Sequence, residues 1–109
     1  METLHSIIKY GNPLKTPPWK GVGPIDPQIV MQYVKDRNTI GPKEAKRNCP
    51  LTNPTMSHMK RIAYLVAHPC SKPITVFKSR QMSWPIKDGN HRLASAIIRN
   101  DEYINVNWI

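Results

Sequence analysis

The chain has 109 residues, 39% of them hydrophobic, and carries 16 Lys and Arg against 7 Asp and Glu, a formal net charge of +9. That length suits one small domain around one core, and no stretch approaches the roughly 20 apolar residues that span a bilayer. The charge points to an anionic partner (nucleic acid, nucleotide or an acidic protein), with a basic surface that serves solubility as the plain alternative.

The opening "METLHSIIKYG" has no long apolar run and no cleavage site, so no signal peptide is expected and the chain reads as cytoplasmic, with no membrane partner. Within it, Leu4 to Tyr10 reads as a short strand. Gly11 to Pro27 holds five of the eleven prolines and reads as an irregular, extended segment. A helix follows, with Asp26 as cap, Pro27 at the first helical position, and Ile29, Val30, Tyr33 and Val34 as its apolar stripe. Gly41-Pro42 stops it. Residues 42–48 can add one basic helical turn, and 49–55 read as loop.

Ser57 to His68 is the second helix, with Met59, Ile62, Ala63 and Val66 at helical spacing and Pro69 beyond its end. Cys49 and Cys70 lack CxxC spacing and a surrounding histidine cluster, so they read as two reduced thiols and no metal site is expected. "KPITVFKS" reads as a strand, residues 80–83 as a turn, and "WPIKD" as the returning strand. Pro85 cannot donate to a ladder, so that strand either starts there or lies partly on an edge. The third helix, "HRLASAIIRN", turns Leu93, Ala94, Ile97 and Ile98 to the core and ends at Asn100-Asp101. In "YINVNWI" the alternation of Ile104, Val106 and Trp108 with polar neighbours reads as one half-buried strand. The fold class is α+β, a single small domain with a mixed sheet packed by about three helices. Ile74, Val76, Ile86, Leu93, Ile97, Val106 and Trp108 should share a core.

The stretch with most chemistry is Asp88-Gly89-Asn90-His91-Arg92, where a strand runs into a helix. A helix start offers unsatisfied N–H groups and a positive dipole end. Gly89 permits a tight turn and close approach of a ligand to the backbone. Asn90, His91 and Arg92 add donors, and Arg92 can grip a phosphate with two parallel hydrogen bonds. Asp88 can cap the helix, hold a metal carried by phosphates, or accept a proton. Together they read as a phosphate-binding corner. The alternative is a capped turn, with Asp88 capping and Arg92 solvated or paired with Glu102. His5, His58 and His68 are scattered and read as surface groups. Trp19, Trp84 and Tyr103 can stack bases, although Trp84 and Trp108 sit in strand positions that suit the core.

Strand, "DGNHRLASA", helix and closing strand together resemble the ParB/sulfiredoxin-like superfamily, as does the helix that leads into "KPITV". The resemblance covers Thr55 to Ile109, which leaves residues 1–54 as a proline-rich portion with one helix. It implies that Gly89, Asn90, His91 and Arg92 hold nucleotide phosphates. The sequence does not identify that nucleotide; ATP and CTP, with magnesium, are the candidates. Ser57, His58, Lys60 and Arg61 on the preceding helix would face the same nucleotide. The His-Arg pair matches the sulfiredoxin motif, and Asp-Gly-x-His-Arg is similar to the turn of the free-serine kinases of this fold. For a kinase, Asp88 and Asp101 are candidate bases.

Departures from the family pattern restrict the chemistry it implies. Asn90 stands where sulfiredoxins have cysteine, and an amide cannot do thiol chemistry. ParB proteins have glutamate there, a second arginine in place of His91, and further DNA-binding and dimerisation domains, so a partitioning role would need partners. The leading expectation is a stand-alone domain that binds a nucleotide or other phosphate, of a size that suits an accessory protein of a phage or mobile element in the host cytoplasm. The alternatives are a DNA- or RNA-binding protein, with or without nuclease activity, and a protein-binding inhibitor of a host factor.

Overall fold

A computed structural model describes residues 1–42, 54–78 and 84–109. Their local sequence accounts for most of the elements. Strand β1 (Glu2–Thr3) runs directly into helix α1 (Leu4–Ile8), where a strand was expected. The helix forms because Leu4, Ile7 and Ile8 recur at i, i+3 and i+4, and because Thr3 caps it. The Thr3 hydroxyl accepts from the Ser6 amide at 3.4 Å, and the Ser6 hydroxyl donates to the Thr3 carbonyl at 2.8 Å. Leu4 and Ile7 are buried.

The proline-rich segment runs without regular structure to helix α2 (Pro27–Lys35). Its start is as expected, with the Asp26 carboxylate accepting from the Gln28 amide at 2.9 Å. Only Val30 of the expected stripe is fully buried. Tyr33 and Val34 pack beside it, whereas Ile29 lies off the edge of this seam and is 45% exposed. Helix α3 (Pro54–Ala67) begins three residues earlier than expected and buries Met59, Ile62, Ala63 and Leu65. All but Pro42 of the basic turn expected over residues 42–48 lies outside the described residues, as do the turn over 80–83 and Cys49.

Strand β2 (Ile74–Val76) is the centre of a mixed three-stranded sheet, between strand β3 (Ile86–Asp88) and strand β5 (Val106–Trp108). Strand β3 (Ile86–Asp88) pairs with it antiparallel on one edge. Pro85 sits just ahead of β3, where its carbonyl accepts from the Phe77 amide at 2.8 Å and no donor is required of it. Helix α4 (Asn90–Arg99) then crosses to the last two strands and ends at Asn100, whose φ of 59° is the left-handed stop read from Asn100-Asp101.

The closing segment is two strands, not one. Strand β4 (Tyr103–Ile104) pairs with β1, and strand β5 (Val106–Trp108) runs parallel to β2, with Ile74 opposite Val106 and Val76 opposite Trp108. Asn105 makes the break. Its carbonyl accepts from the Ile74 amide at 3.0 Å, and its side-chain amide donates to the Ser71 carbonyl at 2.9 Å. The alternation of side chains survives the break, so Ile104, Val106 and Trp108 still pack on one cluster.

Two apolar clusters form the interior, and α4 is the wall between them. Leu93 and Ala96 join Leu4, Ile7, Ile74, Val76 and Ile86 in the first, against which Ile97, Val106 and Trp108 pack half-buried. Ala94 joins Leu14, Ile25, Val30, Met59, Ile62 and Ala63 in the second. Residues ahead of 54 therefore supply part of both clusters.

Gly89 sets how close α4 comes to the sheet. Its φ is +95°, and a Cβ there would lie 2.5 Å from Ile74 Cγ2 and 3.0 Å from the Ile74 Cα. The glycine's side is filled by the core strand, not by space for a ligand. Gly89→Ala should therefore cost about 2–5 kcal/mol, from left-handed strain of about 1–2 plus forced overpacking of about 1–3. Denaturant unfolding of the two proteins measures it, and an unchanged midpoint would contradict the packing described.

Candidate functional site

The strand-to-helix corner opens on a groove of ≈ 960 Å³. Asp88, Gly89, His91 and Arg92 line one side. Arg61, Tyr64 and His68 of α3 and its end line another part, together with Pro69, Cys70, Lys72 and Pro73 of the loop that follows. Arg61, Tyr64, Leu65 and His68 recur at i, i+3, i+4 and i+7. They form the face of α3 turned away from the Ile62 and Ala63 stripe. That second helical stripe was visible in the sequence, but tyrosine and histidine at such spacing are equally common on a plain solvated face. Cys70 is an exposed free thiol.

No side chain caps α4, because its cap residue is Gly89. Asp88 is therefore not the cap. It ends β3 with its side chain 74% exposed and accepts from Arg92 Nη2 at 3.1 Å, one helical turn away. Arg92 is paired with Asp88 rather than Glu102. Such a partly exposed pair contributes about 0–1 kcal/mol, less than a charge-assisted bond to a bound anion, worth about 1.5–3 kcal/mol. The uncapped amides of the first turn, with the dipole behind them, leave the helix end open to negative charge.

Asn90 does not join this group. Its side-chain carbonyl accepts from Trp84 Nε1 at 2.9 Å and its amide donates to the Ile86 carbonyl at 3.4 Å. Both contacts face the sheet, so Asn90 ties the turn to β3 and to the half-buried Trp84.

Of the four α3 residues named with the corner, Arg61 alone lines the groove. Its guanidinium carbon lies 5.6 Å from the Tyr64 ring, and its Nη1 is buried with no hydrogen-bond partner among the described residues. A buried guanidinium nitrogen left unsatisfied costs about 1–3 kcal/mol or more, which an incoming oxygen would recover. Lys60 instead reaches over the Tyr33 ring of α2, 5.6 Å from its centroid. Ser57 is half-buried and outside the groove lining.

His58 is not a scattered surface group. Its Nδ1 lies 2.7 Å from His91 Nε2, and the rings are 14° apart with centroids 5.0 Å apart, joined edge to edge in one layer. Trp19 lies over both, 4.4 Å from each ring centroid. The tryptophan read as a base-stacking candidate thus roofs two histidines and pins the proline-rich segment to the corner. Nothing local could reveal this, because the three residues are spread over more than seventy positions.

The pair is uncharged at neutral pH. Burial pushes His91 down to about 3, with the neighbouring His58 and Arg61 adding to the effect. Burial also lowers His58. One ring therefore donates its N–H and the other accepts. Among the described residues, no three or more His, Cys, Asp or Glu side chains cluster to hold a metal ion, and no helix is long and apolar enough to cross a membrane. No protein-family model, curated protein or solved structure matches the chain.

These directions set the response to acid. A histidine whose folded pKa lies below its unfolded value near 6.5 binds its proton more readily in the unfolded chain. Stability is then fully present above about 6.5 and falls as the pH drops toward 3. Urea unfolding should show a loss of about 1–2 kcal/mol between pH 7 and pH 5 from His91, at about 1.4 kcal/mol per fully expressed pH unit. The His91→Phe protein should lose less over that interval. Equal acid sensitivity of the two proteins would rule out the neutral buried pair.

Proposed function

We propose that the groove beside Asp88–Arg92 binds a phosphate group, that of a nucleotide in the first instance, with the uncapped start of α4 and the Arg61, Lys72 and Arg92 cations as its electrostatic frame. The observation that carries this reading is the convergence of those cations on an uncapped helix end, one of them with a buried nitrogen that lacks a partner among the described residues. The order helix, strand, strand, turn, helix and closing parallel strand supports reading the α+β domain as ParB/sulfiredoxin-like, with Gly89, His91 and Arg92 carried over to the phosphates and Asn90 to the scaffold. That reading keeps ATP or CTP with magnesium as first choices. The chain as a phage or mobile-element accessory protein belongs to the same proposal.

The charge of +9 favours one further reading, a basic protein that follows a nucleic-acid backbone. Phosphate contacts of that kind carry little sequence information and weaken steeply with salt.

Calorimetric titration with ATP, CTP, inorganic phosphate and a short oligonucleotide, with and without magnesium, tests both. Arg92→Ala should weaken a nucleotide by roughly 10- to 150-fold, the loss of about 1.5–3 kcal/mol at about 1.4 per decade. Arg61→Met should weaken it at least about tenfold while the protein melts no lower, because it removes a half-buried cation whose buried Nη1 lacks a partner among the described residues. If both variants bind as the wild type does, the corner is only a turn. If the oligonucleotide alone binds, at low salt only and without sequence preference, the backbone-following reading replaces the nucleotide one.

A further inference from the structure

Fixed cations suffice to attract a phosphate, yet this groove has a titratable pair built into its wall. His91 lines the groove from the first turn of α4, and its Nε2 meets Nδ1 of His58 at 2.7 Å. The two rings are close to coplanar, and Trp19 stacks on both. With the pair neutral, one N–H···N bond joins the rings. The donating ring has its outer nitrogen free, and a proton added there leaves that bond in place as a charge-assisted one. The pair can therefore charge without moving, and the indole face above it favours a cation.

The charges around the pair oppose that step in the free protein. Arg61 faces it from α3, and Arg92 shares its turn, offset by Asp88. His68 and Lys72 stand across the groove. Burial adds to the opposition. A doubly charged tetrahedral anion seated among these groups reverses the balance, because it stabilises a positive charge on His91 while satisfying Arg61. A singly charged phosphodiester supplies half that attraction.

We propose that His58 and His91 act as one proton-accepting unit that takes a proton from solvent when a terminal phosphate enters the groove, so that the site prefers dianionic phosphate monoesters to phosphodiesters. This rests on the phosphate-binding reading above and adds to it the charge state of the ligand and the role of His58. Binding and protonation are then reciprocal. Affinity should rise as pH falls, by up to about tenfold per pH unit for one proton.

Sulfate is the cleanest probe, since it stays a dianion throughout the working range and any proton taken up belongs to the protein. Calorimetric titration of the full chain with sulfate at pH 6.5, in two buffers of different ionisation heat, should give an uptake above about half a proton per sulfate bound. The affinity should climb between pH 8 and pH 6.5, and dimethyl phosphate should bind more weakly with no uptake. The His91→Phe protein keeps a ring under Trp19, and the sulfate binding it retains, weakened or not, should show no uptake and no pH slope. Nuclear magnetic resonance of the wild-type histidine ring C–H groups gives a second measure that needs no variant, and only the His58 and His91 signals should move toward the charged form when sulfate is added.

Sulfate binding whose heat is the same in both buffers overturns the proposal and leaves the phosphate site standing. Uptake that persists in His91→Phe, or movement of His5 or His68 instead, also overturns it. If neither sulfate nor inorganic phosphate nor a nucleotide binds, the phosphate reading fails and this inference fails with it.

Discussion

The start of α4 can lie against β2 only because residue 89 has no side chain. The Ile74 Cγ2 methyl and Cβ occupy the space a Cβ would need, and the backbone turns there with φ of +95°. From that contact α4 acquires its height above the sheet. Its height in turn lets Leu93 and Ala96 enter one apolar cluster while Ala94 enters the other. The same contact leaves the helix without a side-chain cap and aims its first turn across a groove at α3. One packing constraint thus both closes the interior and builds the open end of the corner.

Around that corner the electrostatics divide into two kinds. Arg61, Lys72 and Arg92 are the lysine and arginine side chains of the groove lining, and among the described residues only Arg92 of the three has an acidic partner at hand. The histidine pair is different, because burial and the neighbouring guanidinium hold it neutral. Trp19 keeps it so by covering both rings, which requires a long irregular segment to be drawn over the site. A frame of permanent charge beside a group that can still accept one proton is suited to telling a doubly charged ligand from a singly charged one.

The proline-rich segment has a role that its composition does not suggest. Leu14 and Ile25 anchor it in the second cluster, and the Ile25 amide donates to the Leu14 carbonyl at 2.8 Å, drawing its two ends together. Trp19 lies in the loop so closed, which explains how a segment without helix or strand can hold an aromatic ring in a defined place.

From sequence alone the α+β class, the cap of α2, the strand at Ile74, the choice between strand start and sheet edge that Pro85 imposes, and the end of α4 at Asn100 were all legible. Each depends on a residue and its near neighbours, through caps, proline's missing donor and side-chain periodicity. Local pattern misleads at Leu4–Ile8, where a short apolar run fits a strand or a helix equally well. It misleads again at Asn105, where a polar residue looks like the outer face of one strand but hydrogen-bonds to Ser71 and the Ile74 amide, so dividing it in two. At the site the sequence marked the corner, and the resemblance named Ser57, His58, Lys60 and Arg61, of which Arg61 alone lines the groove. Tertiary structure alone decided that Asn90 turns inward, that Arg92 finds Asp88, and that His58, His91 and Trp19 form one stack. The physical reason is distance along the chain: periodicity and capping act over a few residues, whereas the contacts between 19, 58 and 91 exist only after three separate elements have packed on the same core.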